Sequence, residues 1–170
     1  MKPFSYEAPT RVRFGAGEAS RLGENIKDRY GRVLLVFAKG PFRENGLYDS
    51  IMSSLQSAGI SVETMSDIES NPKVSSAREG RQVCKEAKVH AIVAVGGGST
   101  MDAAKVIGAA AAMDVDPFDL IWGKRLEVTA SLPVITVPTI AATGTEVNNA
   151  AVMVNAETRE KYCCIPDYPV

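Results

Sequence analysis

Apolar and polar positions alternate along the chain in blocks that predict strands and helices in turn. Short apolar runs at 33–37, 91–95 and 134–137 are typical of strands that are covered on both faces of a parallel sheet. Residues 74–88 instead show the spacing of an amphipathic helix. This alternation predicts a layered α/β domain with a mainly parallel sheet and helices on both faces.

Turn-forming residues set the bounds of the other predicted elements. Pro41 suits a first helical position, and Gly59 suits the position after a helix end. Asn71 and Pro72 mark a turn before the helix at 74–88. The remaining predicted elements are an edge strand at 11–14, helices at 18–29 and 41–58, a strand at 60–65, and a terminal hairpin of 150–154 with 159–164.

The stretch 91–105 combines the features of an anion-binding turn. A buried strand leads directly into Gly96 to Gly98, which lack Cβ atoms and let the backbone approach a ligand closely. Ser99 or Thr100 is placed to cap the helix that follows, and the N–H groups and positive dipole end of that helix attract anions. The turn predicts a phosphate site, although three glycines are also compatible with an ordinary tight turn.

The amino-acid composition limits which kinds of partner we expect the protein to bind and where in the cell we expect it. The 19 Lys and Arg nearly balance the 20 Asp and Glu, so nothing favours a nucleic acid or an anionic membrane surface as partner. The N-terminus lacks the apolar segment of a signal peptide, and the longest apolar run, about 106–113, is too short to span a bilayer. These features predict a cytoplasmic protein. Cys84, Cys163 and Cys164 lack zinc-site spacing and an evident disulfide partner.

Two sequence blocks resemble a known enzyme family. Residues 96–105, Gly-Gly-Gly-Ser-Thr-Met-Asp-Ala-Ala-Lys, closely resemble the signature of the iron-containing alcohol dehydrogenases. Residues 138–146 are similar to that family's Pro-Thr-Thr-x-x-Thr-Gly-Ser-Glu loop, with Ile140 for the second Thr and Thr145 for Ser. The first change removes a possible donor to the nucleotide, and the second keeps a hydroxyl. The resemblance implies that residues 1–170 form a Rossmann-like dinucleotide-binding domain.

The resemblance also implies which residues contact the cofactor. Gly97, Gly98 and Ser99 would hold the pyrophosphate, with Gly96 beginning the same turn. The other residues that it assigns to the nucleotide are Asn71, Thr139, Thr143 and Lys161. A solvated surface lysine is an equal interpretation of Lys161.

Asp102 has two interpretations of equal weight. It either faces the nicotinamide end of the cofactor, or it caps the helix and pairs with Lys105 one turn on.

The turn after the strand at 33–37 bears on the choice between NAD and NADP. Ala38 stands where members of the family often have an Asp, and such a carboxylate binds the ribose 2′-OH and repels a 2′-phosphate. Lys39 and Arg43 lie close by and can pair with a 2′-phosphate, which favours NADP over NAD. The alternative is that both are surface cations of the next helix.

The resemblance implies metal-dependent hydride transfer between the nicotinamide and a small alcohol or aldehyde. Members of the family hold iron or zinc through an Asp and three His from a helical second domain, which we expect to be absent from this chain. His90 is the only histidine, and Cys163, Cys164 and Asp167 form a poor chelate because neighbouring side chains on a strand point to opposite faces. We therefore expect no metal ligand and no catalytic residue in these 170 residues, and an inactive chain on its own.

Other functions fit parts of the same sequence. Glycerol dehydrogenase and dehydroquinate synthase share the glycine loop, but the continuation at 99–105 and the Thr-Gly-Thr-Glu block favour the alcohol dehydrogenase branch. A nucleotide-binding module without catalysis is the alternative of a different class. The partners expected are a small alcohol or aldehyde in the complete enzyme and, through an apolar cleft face, a second copy in a homodimer.

Overall fold

The computed structural model describes residues 10–42 and 44–164, and of Cys164 the backbone alone. It contains a four-stranded parallel sheet in the order β2–β1–β3–β4 and a separate antiparallel hairpin of β5 and β6. The strands are β1 (Arg32–Ala38), β2 (Ser61–Ile68), β3 (Ala91–Gly96), β4 (Val134–Pro138), β5 (Ala151–Val154) and β6 (Lys161–Cys164). The helices are α1 (Leu22–Ile26), α2 (Leu47–Ser57), α3 (Val74–Glu86), α4 (Gly98–Met113) and α5 (Pro117–Ile121).

Helices cover both faces of the parallel sheet, as the hydrophobic pattern predicts. In β1, Leu34 and Val36 point into the core that contains residues of α3, α4 and α5. Val33, Leu35 and Phe37 point into the opposite core, which contains residues of α1 and α2. Because successive side chains of a strand face opposite sides, a strand buried on both sides is apolar throughout. The continuous apolar runs therefore identified the central strands β1 and β3 correctly, whereas the third run, β4, is a half-buried strand at the edge of the described sheet.

The predicted bounds fail near the N-terminus. Residues 11–14 form no strand, since no described strand lies beside them, and Val12 and Phe14 are exposed. The helix predicted at 18–29 is a 3-10 turn (Glu18–Arg21) followed by the short α1. The helix predicted from Pro41 begins at Leu47 instead, because Gly46 adopts a left-handed conformation with φ 75° just before it.

One helix was not predicted. The Asp116 side chain accepts a hydrogen bond from the N–H of Phe118 at 2.8 Å, and Pro117 occupies the first helical position of α5. An Asp followed by Pro is a helix-start signal that the sequence pattern contained. None of the described helices has the length and apolar character needed to cross a membrane.

Candidate functional site

The glycine turn, residues 96–99, lies at the carboxyl end of β3. Gly96 ends the strand with φ 157°, and α4 begins at Gly98. A Cβ atom on Gly96 would lie 2.7 Å from the Cβ of Ala38 and 2.5 Å from Oγ1 of Thr100, so glycine is required there by the packing of the turn against β1. The first N–H groups of a helix have no partner within it. The turn thus presents backbone donors at the sheet edge where open α/β folds bind ligands.

A groove of about 280 Å³ opens beside the glycine turn. It is bounded by the residues that follow β1 and β2 and by the start of α4. Its lining comprises Ala38, Lys39, Ile68, Glu69, Ser70, Gly97, Gly98, Ser99 and Thr100. The structure therefore brings Lys39 to the same groove as the glycine turn.

The charges in this groove come from Lys39, Glu69 and the neighbouring Lys73. The carboxylate of Glu69 lies 2.7 Å from the ammonium of Lys73. This hydrogen bond and the Lys73 charge lower the pKa of Glu69, and the charge of Lys39 adds to the effect. Glu69 is therefore ionised and flanked by two cations. The sequence analysis missed this carboxylate because it lies after β2, away from the two motifs.

Asn71, Ser99 and Lys161 meet on one side of the glycine turn. The N–H of Asn71 donates to Oγ of Ser99 at 3.3 Å, and Nζ of Lys161 donates to Oδ1 of Asn71 at 2.8 Å. Asn71 adopts φ 61°, a left-handed conformation that Asn tolerates better than most residues. The hairpin that holds Lys161 is tied to the same segment, because the N–H of Val154 donates to the carbonyl of Pro72 at 2.9 Å.

The helix cap differs from the prediction. The residue before α4 is Gly97, which has no side chain, and Ser99 and Thr100 lie inside the first turn. Neither hydroxyl caps the helix. The helix begins two or three residues earlier than the sequence indicated, and Ser99 instead accepts the hydrogen bond from the Asn71 backbone.

The threonine loop, residues 139–150, lies directly against the glycine turn. The N–H of Thr139 donates to the carbonyl of Gly96 at 3.0 Å. A Cβ atom on Gly98 would lie 2.6 Å from Oγ1 of Thr143. The structure therefore places Thr139 and Thr143 next to the predicted pyrophosphate site.

Asp102 faces this loop from α4. Its side chain is 9% exposed. Its Oδ1 accepts from the hydroxyl of Thr145 at 2.6 Å, and its Oδ2 accepts from the N–H of Val152 at 3.0 Å. Asp102 thus ties α4 to the threonine loop and to β5, an arrangement that neither interpretation of this residue anticipated.

Lys105 lies one turn further along α4 and was named only as a pairing partner of Asp102. Its Nζ donates to oxygens of Thr145, Asn148 and Ala150 at distances from 2.6 to 3.3 Å. Its place in the Ala-Ala-Lys end of the first motif was the available signal. A lysine among mostly apolar helix residues needs hydrogen-bond acceptors for its ammonium, because burying a charge without partners is unfavourable.

The described residues offer no metal site. Among them, no three His, Cys, Asp or Glu side chains are grouped so as to hold a metal ion. Cys84 is buried, which raises the pKa of its thiol to about 12, and His90 accepts a hydrogen bond from the N–H of Gly31. Arg43, Asp167 and the Cys164 side chain lie outside the described part of the chain. The described residues do not fit a metal, whereas the glycine turn and its groove fit a dinucleotide.

Comparison with known proteins identifies the family of the chain. Residues 9–170 match the family model for iron-containing alcohol dehydrogenase. A probable NADH-dependent butanol dehydrogenase of Bacillus subtilis is 42% identical over 162 residues, which cover 95% of this chain and 42% of that protein. An NADPH-dependent aldehyde reductase of Escherichia coli is 33% identical, with 95% of this chain and 41% of that protein covered.

A solved structure gives the same result. NADH-dependent butanol dehydrogenase A of Thermotoga maritima superposes with a TM-score of 0.93 and 38% identity, covering 99% of this chain and 43% of that one. The chain thus spans about two fifths of the length of these relatives. The Rossmann-like fold and the family expected from the two motifs are confirmed. The chain belongs to the iron-containing alcohol dehydrogenase family.

Proposed function

We propose that this chain binds NAD or NADP along the groove, with the pyrophosphate on the glycine turn. The observation that carries the proposal is that turn. The turn lies at the N-terminus of α4, a helix of 16 residues whose first residues line the groove. The packing of β1 against the turn leaves no room for a side chain at Gly96. Backbone donors and a helix dipole together favour a diphosphate.

Different residues around the turn bind different parts of the dinucleotide. The adenosine end lies in the groove, beside Lys39. Thr139 and Thr143 contact the phosphates or the ribose nearer the nicotinamide, and Asn71 and Lys161 contact the nucleotide beside Ser99. Asp102 acts by holding the threonine loop in place.

We further propose that the complete protein transfers hydride between the cofactor and a small alcohol or aldehyde. The nicotinamide, when bound, supplies the atom that accepts or donates hydride. Relatives named for butanol, choline, aldehydes and 1,3-propanediol support this class. We propose that the ligands of the family's metal lie outside the described residues, among which no group of His, Cys, Asp or Glu could hold one. We also propose that the protein is cytoplasmic and forms homodimers. Light scattering, which measures the mass in solution, tests for the homodimer.

Calorimetric titration tests cofactor binding by the 170-residue chain. We expect one dinucleotide per chain for NAD or NADP. The chain alone should reduce no short aldehyde above background in the presence of Fe²⁺ or Zn²⁺, and it should retain neither metal in stoichiometric amount. A chain that binds neither dinucleotide would remove the proposed function, and metal-dependent turnover would show that a metal site has been overlooked.

We propose that NADP is the preferred cofactor. The names of the relatives include both NADH and NADPH, so the preference rests on the groove itself. Ala38 offers no carboxylate to repel a 2′-phosphate, and Lys39 and Lys73 outnumber Glu69. Ala38→Asp should shift the ratio of dissociation constants toward NAD, measured for both cofactors at low salt.

Glu69 supports the opposite preference. Its carboxylate lines the groove and can accept hydrogen bonds from ribose hydroxyls, as an acidic residue does in NAD-specific folds. Glu69→Gln separates the two choices. If NADP is preferred, the substitution should leave NAD binding unchanged or strengthen NADP binding. A selective loss of NAD affinity would assign the ribose contact to Glu69 and contradict the NADP preference.

A further inference from the structure

The threonine loop has little regular structure of its own. Only Thr145–Val147 forms a single 3-10 turn, and Gly144 just before it adopts φ 67°. Two local hydrogen bonds involve Asn148, whose Nδ2 donates to the carbonyl of Gly144 and whose Oδ1 accepts from the N–H of Ala150. A segment of this kind needs partners outside itself to hold one conformation.

Lys105 supplies those partners from α4. Its ammonium lies 2.6 Å from the carbonyl oxygen of Thr145, 2.7 Å from that of Asn148 and 2.8 Å from that of Ala150. The Thr145 hydroxyl and the Asn148 Oδ1 lie at 3.0 and 3.3 Å. An ammonium has three N–H donors, and the three backbone carbonyls are near enough to take all of them. The loop is therefore wrapped around one cation.

The hydroxyl of Thr145 links this cation to Asp102. It donates to Asp102 at 2.6 Å and accepts from Lys105 at 3.0 Å. A carboxylate and an ammonium of the same helix thus hold the loop through one shared hydroxyl. Charge-assisted hydrogen bonds of this kind are about twice as strong as neutral ones.

We infer that Lys105 is a positioning residue for the cofactor site, which fixes the threonine loop against Gly98 so that Thr143 meets the nicotinamide half of the dinucleotide. The inference rests on the proposed function. Thr143 lies against Gly98 at the point where the loop approaches the glycine turn. In residues 145–150, which follow Thr143, three backbone carbonyls accept hydrogen bonds from Lys105. These bonds hold Thr143 against Gly98. The groove beside the glycine turn, where we propose the adenosine lies, has no lining residue from the threonine loop.

Because the threonine loop does not line the groove, a change at Lys105 should weaken binding of the nicotinamide half of the cofactor and not of the adenosine half. In the complete protein, Lys105→Met keeps the length and packing of the side chain but removes the donors. We expect the affinity for NAD(P)H to fall at least about tenfold, equivalent to about 1.4 kcal/mol, and the affinity for AMP to change less than about twofold. Amide hydrogen exchange should accelerate in residues 139–150 and not in β3. Lys124→Met, which removes an exposed lysine paired with Asp119, is the matched control and should change neither affinity.

A second pair of variants keeps the test decisive if Lys105→Met does not fold. Thr145→Val removes the shared hydroxyl and should weaken NAD(P)H binding several-fold, while Thr145→Ser restores the hydroxyl and should restore affinity.

Three outcomes would overturn the inference. These are unchanged NAD(P)H affinity in a folded Lys105→Met protein, an equal loss of NAD(P)H and AMP with faster exchange throughout the domain, and Thr145→Val and Thr145→Ser proteins that bind alike. A wild-type protein that binds neither NAD(P)H nor AMP would instead remove the proposed function on which the inference rests.

Discussion

The glycine turn and the threonine loop lie against each other but are built on opposite principles. The turn depends on the absence of side chains, since a Cβ atom on Gly96 or Gly98 would collide with β1, α4 or Thr143. The loop depends on side chains of α4, because Asp102 and Lys105 supply the acceptors and donors that define its path. A binding site of this kind needs a rigid backbone surface on one side and a fastened segment on the other.

The largest effect expected from this comparison is on stability. Asp102→Ala removes the acceptors of the Thr145 hydroxyl and the Val152 N–H in a buried place. We expect the free energy of unfolding to fall by about 2–3 kcal/mol, measured by urea denaturation. Asp28→Ala, at an exposed carboxylate, should change it by less than about 0.5 kcal/mol. An Asp102→Ala protein as stable as the Asp28→Ala protein would show that Asp102 does not fasten the loop.

The next effect concerns binding. Gly98→Leu places a side chain where even a Cβ atom lies 2.6 Å from Oγ1 of Thr143. We expect the dinucleotide affinity to drop at least about tenfold, or about 1.4 kcal/mol, with the domain still folded. Gly31→Leu is the control, since a Cβ atom there meets nothing closer than 3.9 Å. Equal calorimetric affinities for the two folded variants would refute the role of the glycine turn.

A smaller effect sharpens the comparison at Asn71, which belongs to neither region. Asn71→Ala places an unsuited residue at φ 61° and removes the acceptor of Lys161, whereas Asn71→Gly relieves the backbone but still removes the acceptor. We expect Asn71→Ala to lose about 1 kcal/mol of stability and Asn71→Gly to lose less. Both should weaken NAD(P)H binding about threefold. Unaltered binding in both proteins would contradict the proposed contact of the Asn71 side chain with the nucleotide and show that Lys161 needs no partner there.

The smallest effect is expected at Ser99. Its hydroxyl accepts one partly solvated hydrogen bond from Asn71, while its backbone belongs to the glycine turn. Ser99→Ala should therefore weaken dinucleotide binding by only about twofold, detected by NADH fluorescence titration. A loss greater than about tenfold would show that side chains matter in the turn as much as in the loop.

The sequence predicted the elements whose signal is local. Apolar runs identified β1, β3 and β4, and the order of strand, glycines and helix located the turn that we propose binds phosphate. Such signals come from burial on both faces and from the need for residues without Cβ atoms, which short segments encode by themselves.

The failures concern features that depend on distant partners. Residues 11–14 alternate like a strand, but a strand requires a neighbour to pair with. Asp102 and Lys105 were recognised as a possible pair at helical spacing, yet their observed partners lie about 40 to 50 residues further on. Glu69 enters the groove only because β2 lies beside β1. The role of a charged residue depends on what folding brings to it, which local spacing does not record.

The contact between Asn71 and Lys161 has a consequence for the order of folding. These residues are separated by 90 positions, and the contact crosses from the segment after β2 to the last described strand. This contact closes a long loop, and we expect it to form after the local helices and neighbouring strands have assembled. We therefore expect the Lys161 side of the proposed site to be completed late, when the four-stranded sheet and the glycine turn already exist. If the nucleotide binds both sides as proposed, it should bind chains that have finished folding in preference to those that have formed the sheet alone.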